Sequence, residues 1–229
     1  MTITAVLWDV DDTLFDHRGA ERHGALAHMA AEGLLGRYAS ADEAAAHWHE
    51  VAEHYVDRYL AGEFGFQDQR RERARAMLGK PLTDEQADEW FARYVDAYRR
   101  QWRAFPDVVP ALRGLTPRYR HGVLSNNQAA QQELKLAAVG IRAHFEVLVC
   151  SEELGVAKPD PAAFHAACEA LGLSPREVAY VGDRHDVDAA GADAAGLTGV
   201  WLDRVGGITP QPGVRRITGL GQLAALLEG

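Results

Sequence analysis

Residues 3–13 read Ile-Thr-Ala-Val-Leu-Trp-Asp-Val-Asp-Asp-Thr, an apolar run from Ile3 to Val10 that ends among the carboxylates of Asp9, Asp11 and Asp12 and the hydroxyl of Thr13. A short apolar run of this kind predicts a buried strand. Side chains alternate along a strand, but the chain leaves β geometry at its C-terminal end, so Asp9 and Asp11 can both turn toward one crevice above the sheet. Open α/β sheets bind ligands in that crevice, and two carboxylates two residues apart there suggest chemistry.

Outward from this strand the texture changes twice. From about Asp16 to Arg103 the chain is rich in Ala, Arg, Glu and His, with apolar residues three and four apart. That spacing predicts helices near 19–35, 41–60, 67–78 and 84–102. Ser40-Ala41-Asp42-Glu43 and Thr83-Asp84-Glu85-Gln86 both fit the capping box, and Gly36, Gly62, Gly65 and Gly79-Lys80-Pro81 mark the breaks. After Phe105-Pro106, short apolar runs at 120–125, 146–150, 178–182 and 198–202 alternate with helical segments at 107–115, 128–139, 161–171 and 187–195. This is the βαβ signature of a parallel sheet joined by right-handed crossovers. The first strand cannot stand by itself and must join that sheet, which makes the helical block an insertion. The expected organisation is an α/β core of residues 1–16 and 104–229, with residues 17–103 as an inserted four-helix cap over the strand ends.

A chain of 229 residues with 47% hydrophobic composition has ample material for a core. Its formal charge of −9 argues against a nucleic-acid partner, because counterion release on a phosphate backbone needs a basic face. Cys150 and Cys168 lie in apolar surroundings and read as small buried thiols, so a reducing cytoplasm is the expected setting. The N-terminus has no positively charged region and Asp9 breaks its apolar run, and no segment approaches the roughly 20 apolar residues of a membrane span. No membrane partner is expected.

Each later strand ends in a polar residue of a particular kind. Ser125-Asn126 offers a hydroxyl and an amide suited to an anionic oxygen, although a turn capping the next helix would use the same pair. Lys158, before Pro159-Asp160-Pro161, can neutralise a phosphate or a carboxylate, while most lysines are simply solvated. Gly182-Asp183 ends another strand with an acid that, beside other acids, wants a cation. Asp186 and Asp188 follow it, where acids ordinarily serve as helix caps. Taken together, the carboxylate pair, Ser-Asn, Lys and Gly-Asp with a trailing Asp stand at successive strand ends in a fixed order.

In that order the chain resembles the haloacid dehalogenase superfamily over its full length. The four motifs stand here as Asp9-Val10-Asp11-Asp12-Thr13, Ser125-Asn126, Lys158 and Gly182-Asp183-Arg184-His185-Asp186-Val187-Asp188. The resemblance implies a Rossmann-like parallel sheet with the cap inserted between the first and second motifs. It implies Asp9 as a nucleophile toward phosphorus and Asp11 as the acid/base, with Lys158 neutralising charge. It further implies Mg²⁺ held by Asp9, the backbone carbonyl of Asp11 and Asp183, with Asp188 behind them orienting metal-bound water or Lys158. Thr13, Ser125 and Asn126 would then bind the phosphate oxygens. A carboxylate approaching a phosphate dianion does need such neutralisation.

The acid two residues after the nucleophile favours a phosphorus substrate, since members that act on haloacids are not expected to carry it. The implied activity is Mg-dependent hydrolysis of a small phosphorylated metabolite, such as a sugar phosphate or nucleoside monophosphate, through an aspartyl-phosphate. A phosphomutase would use the same residues. A receiver-type signalling module also combines acids, a phosphoacceptor Asp, a hydroxyl and a Lys, but it needs no inserted helices. Monomer and homodimer both stay open.

The cap is expected to select the substrate. Phe64, Phe66, Arg70, Arg71, Arg73 and Arg75 are its most suggestive stretch, although an arginine-rich helix face with Glu72 beside it is ordinarily solvated. His47, His49 and His54 are spaced wrongly for one metal cluster, while His185 lies within the last motif and His17 near the hinge. Trp48, Trp90 and Trp102 read as packing residues of the cap.

Overall fold

The computed structural model describes residues 2–206 and 213–228, and the chain divides into two compact units, Met1–Asp16 with Arg103–Gly229, and His17–Trp102. Strand β1 (Ala5–Trp8) is followed by α1 (His17–Ala31), α2 (Ala41–Leu60), α3 (Phe66–Leu78) and α4 (Asp84–Arg99). The chain continues through α5 (Val108–Leu115), β2 (Arg120–Ser125), α6 (Ala129–Ala138), β3 (Val147–Cys150), α7 (Ser151–Leu154) and α8 (Pro161–Leu171). It ends with β4 (Val178–Gly182), α9 (Ala190–Ala194), β5 (Thr198–Leu202), β6 (Arg216–Ile217) and α10 (Leu223–Glu228).

All strands of the first unit pair in parallel in the order β3-β2-β1-β4-β5-β6. β1 therefore lies inside the sheet, and all four of its residues are fully buried, as a strand covered on both faces requires. Its neighbours β2 and β4 lead away in opposite directions, so β1 sits at the topological switch point where such sheets bind ligands. Leu7, Leu124, Phe164, Cys168, Leu171 and Tyr180 pack together in this unit's core, which contains the buried thiol expected of Cys168.

Three details depart from the sequence expectation. β1 is shorter than the apolar run: the Asp9 N–H still donates to Val181 O at 2.9 Å, but Val10 O then accepts from Leu14 and Phe15 at 2.9 and 2.8 Å, and Asp12 turns left-handed at φ 61°. The helix expected at 187–195 is a π-helical turn, His185–Ala189, followed by the short α9. A Cβ on Gly199 of β5 would lie 2.1 Å from the Ala189 carbonyl oxygen, so this turn presses on the sheet where only glycine fits. The edge strand β6, two residues long, offers no periodicity to find.

The two chain segments that bracket the helical insertion are tied together. Phe105 N donates to Leu14 O and Asp16 N to Arg103 O, both at 3.1 Å, and the Arg103 guanidinium meets the Asp16 carboxylate at 2.7 Å.

The second unit packs Met29, Trp48, Met77, Trp90, Phe91 and Tyr94 into one cluster. Gly24 lets α1 approach α4 closely, since a Cβ there would meet Tyr98 Cα at 2.6 Å. Thr83 and Gln86 form the full capping box at the start of α4. At α2 the cap is partial: Ser40 Oγ accepts from Glu43 N, but the Glu43 carboxylate takes the N–H of Ala39. Helix α4 ends at Arg99, leaving Trp102 beyond it against the Tyr98 ring. Among the described residues no helix is long and apolar enough to cross a membrane.

Candidate active site

Buried charge gathers at the C-terminal ends of β1, β2 and β4. The Lys158 ammonium, 5% exposed, donates to Asp9 Oδ1 at 2.7 Å, to Asp188 Oδ1 at 2.8 Å and to the Tyr180 hydroxyl at 2.6 Å. Tyr180 donates its own proton to Leu124 O at 2.9 Å, so its oxygen is an acceptor for the lysine. All three donors of the ammonium are thus used. The main chain of Lys158 is fixed as well: the Asn126 amide donates to Lys158 O at 2.8 Å and accepts from Lys158 N at 2.7 Å.

Burial dominates the protonation of this group. It pushes the Asp9 carboxyl up to about 7, against the opposing pull of Lys158 and with help from the like charge of Asp188. Burial also works against the charge on Lys158, but the Asp9 and Asp188 carboxylates outweigh it and hold the ammonium above the ordinary lysine range. Tyr180 is raised for the same first reason, its burial.

Asp9, Asp183 and Asp188 each present a carboxylate oxygen, all within 4.8 Å of one another, and among the described residues they are the only such cluster of metal-ligand side chains. An all-oxygen acidic set suits a hard divalent cation such as Mg²⁺. Asp188 is held from its other side by the N–H of Arg184 at 3.0 Å. Its approach also explains Gly182: a Cβ there would lie 2.3 Å from the Asp188 carboxyl carbon. The glycine makes room for that carboxylate.

Asp11 goes elsewhere. Its Oδ1 accepts from Lys135 Nζ at 2.6 Å, and its Oδ2 from Gln132 Nε2 at 2.8 Å and Asn127 Nδ2 at 3.3 Å. The Ser125 hydroxyl accepts from the same Gln132 amide at 2.9 Å. Thr13 is fully buried, its hydroxyl without a hydrogen-bond partner, and its carbonyl accepts from Arg204 at 2.8 Å. Arg204 is in turn gripped by both oxygens of Asp107 at 3.0 Å and lies over the Phe105 ring.

A model of haloacid dehalogenase-like hydrolases matches residues 3–196. The chain belongs to that family. Among curated proteins, this hydrolase is 33% identical over 212 residues to a glyceraldehyde 3-phosphate phosphatase of Methanopyrus kandleri, covering 88% of this chain and 84% of that protein. It is also 33% identical to a phosphoserine phosphatase of Thermus thermophilus over 192 residues, 82% of this chain and 68% of that one. The HAD-hydrolase YfnB from Bacillus subtilis, solved bound to magnesium, shares its fold with a TM-score of 0.78 at 18% identity, over 100% of both chains. A 2-haloacid dehalogenase from Pseudomonas syringae pv. Tomato superposes with a TM-score of 0.70 at 28% identity, over 99% of both chains.

Within this hydrolase, the sequence-expected Asp9, Lys158, Asp183 and Asp188 converge, and Asp11 and Ser125 meet through Gln132. Asn126 braces the Lys158 backbone. Lys135, Gln132, Asn127, Tyr180 and Arg204 contact the candidate residues and are not singled out by the sequence. The one signal for the first two is polar residues three apart on the face of α6 that an amphipathic helix buries, where Gln132 and Lys135 are 0% and 4% exposed. His185 packs against Trp201 and Asp186 pairs with Arg184, so neither joins the cluster.

In the helical unit, considered alone, the arginines of α3 divide. Arg71 and Arg75 bind Asp88, Asp84 and Glu72, as a solvated face would. Arg70 lies over Phe66 and Phe91, and Arg73 over Phe91, Trp48 and Tyr94. His49 pairs with Glu21 and Glu53, and His47 reaches Glu50.

Proposed function

We propose that the protein is a Mg²⁺-dependent phosphomonoester hydrolase that acts on a small phosphorylated metabolite through an aspartyl-phosphate on Asp9. The observation that carries this reading is the buried Lys158 joined to both Asp9 and Asp188 beside Asp183. Such a site balances the charge that a carboxylate attacking a phosphate dianion creates. The relatives named as phosphatases support the same class of substrate.

Asp9, Asp183 and Asp188 would hold the cation, with the Asp11 carbonyl as a further oxygen. When bound, the cation supplies neutralisation of phosphate charge and favours the ionised form of Asp9. Asp9 attacks phosphorus as the ester P–O bond breaks, and Asp11 gives its proton to the departing oxygen. Asp11 then takes a proton from the water that attacks the phosphoryl group, which releases inorganic phosphate and restores Asp9. Lys158 stays paired with Asp9 Oδ1, leaving Oδ2 for the attack. Asp11 also separates this chain from a haloacid-directed reading, because carbon–halogen cleavage leaves a halide that needs no proton. The helical insertion is the part we assign to substrate selection.

The test is phosphate release from a panel of phosphorylated metabolites, with and without Mg²⁺, by the wild type and Asp9→Asn. Release is expected to need the metal and to fall at least about 10³-fold in the variant. Metal-independent release, or turnover that survives Asp9→Asn, would overturn the reading. Accumulation of an isomer without phosphate would turn it toward a mutase.

A further inference from the structure

We propose that Lys135, together with Gln132, is a positioning residue for Asp11, aiming its carboxylate for proton transfer to the leaving oxygen. The proposal rests on the hydrolase reading above. Lys135 lies on α6 at 4% exposure, which is a costly place for an ammonium unless a counter-charge meets it. That counter-charge is Asp11, 124 positions away in sequence and 2.6 Å away in space. The centroid of the Phe15 ring lies 5.1 Å from the same ammonium.

Gln132, three residues earlier on the same face of α6, is fully buried and splits its amide between Asp11 Oδ2 and the Ser125 hydroxyl. Two hydrogen-bonded oxygens on one carboxylate fix both its direction and the rotation of its plane. The Asp11 side chain nevertheless keeps 23% exposure. Neither Lys135 nor Gln132 belongs to the Asp9–Asp183–Asp188 cluster. The two carboxylates of the first motif are thus held by different lysines: Asp9 by Lys158, where the phosphoryl group would be received, and Asp11 by Lys135, where the proton would be given.

A residue that acts only through the proton donor matters in proportion to how much the leaving group needs a proton. An alkoxide needs one badly, and p-nitrophenolate hardly at all. The experiment compares steady-state kinetics of wild type, Lys135→Met, Lys135→Arg and Gln132→Met, each confirmed folded by its thermal transition. The substrates are p-nitrophenyl phosphate and the alkyl phosphate that the wild type turns over fastest.

For Lys135→Met, kcat on the alkyl phosphate is expected to fall about 10–100-fold with KM little changed, and kcat on p-nitrophenyl phosphate less than about threefold. Lys135→Arg is expected to recover most of the loss. Equal losses on both substrates, or a change confined to KM, would overturn the proposal. Should Lys135→Met fail to fold, Gln132→Met decides the matter by the same selectivity between substrates. A wild type that hydrolyses neither ester would instead count against the hydrolase reading itself, which keeps the two failures distinct.

Discussion

The α/β unit and the helical unit each bury a basic side chain, and they treat it in opposite ways. Lys158 is surrounded by Asp9, Asp188 and the Tyr180 hydroxyl at 2.6–2.8 Å. Arg73, 8% exposed in the helical unit, lies over three aromatic rings, with no carboxylate of the described residues within ion-pair distance. A cation on aromatic faces is held by dispersion and the ring quadrupoles, and it organises nothing that can react. A cation saturated by carboxylates forces those acids into one another's company despite their repulsion, which is an arrangement that chemistry exploits. Buried charge alone therefore does not mark a site; buried charge of both signs converging at strand ends does.

The largest effect expected from breaking this contrast is at Lys158. Lys158→Met leaves Asp9 and Asp188 buried without their counter-charge, which should cost about 3–5 kcal/mol in chemical denaturation and abolish phosphate release. Full activity in that variant would show that the lysine only fills space.

A smaller effect falls on one buried histidine in each unit. Burial lowers His28 of the helical unit and His121 of the α/β unit from the ordinary 6.5 to about 4, and His121 Nδ1 accepts the Trp8 indole N–H at 3.1 Å, which requires it unprotonated. Both groups are depressed bases, so the unfolded chain binds more protons than the folded one between about pH 6.5 and 4. Stability should be full above that window and fall as the pH drops through it, by about 1–2 kcal/mol per histidine at pH 5. Replacing His28 by Gln should remove one share, seen as a shallower slope of denaturation free energy against pH. An unchanged slope would mean the folded ring takes up its proton no less readily than in the unfolded chain.

The smallest effect belongs to Arg73. Arg73→Met keeps the volume and removes a desolvated charge, so stability should move by less than about 1 kcal/mol in either direction. A loss as large as that of Lys158→Met would erase the distinction between the two buried cations.

How much of this is legible in the sequence follows from the range of the interactions. Strands β1 to β5, helices α2, α3 and α8, and the order of motifs are local patterns, so a parallel α/β sheet and a block of helices between its first two strands can be read from spacing alone. Asp9 and Asp183 can be read because each opens the turn after a strand, and parallel topology brings strand ends to one side. Lys158, which lies past β3 and α7 and just before α8, is legible only by its place in the order of motifs. Lys135 and Gln132 cannot, because their meaning depends on Asp11 arriving beside α6 from 124 positions away. Gly182 is legible as a motif residue, but its reason is not: the sequence suggests an abrupt turn, and the contact with Asp188 is what excludes a side chain. The π-helical turn at His185–Ala189 escapes because its acids read equally well as an ordinary helix start.

Phosphorylation of Asp9 during turnover is the step on which the hydrolase reading stands. Acid-quenching the protein within a single turnover of its best substrate, followed by peptide mass mapping, tests this directly. A phosphoryl group on the peptide containing Asp9, absent from Asp9→Asn, is the expected result. Turnover with no phosphoryl group on that peptide at any quench time, or with the group on another residue, would contradict it.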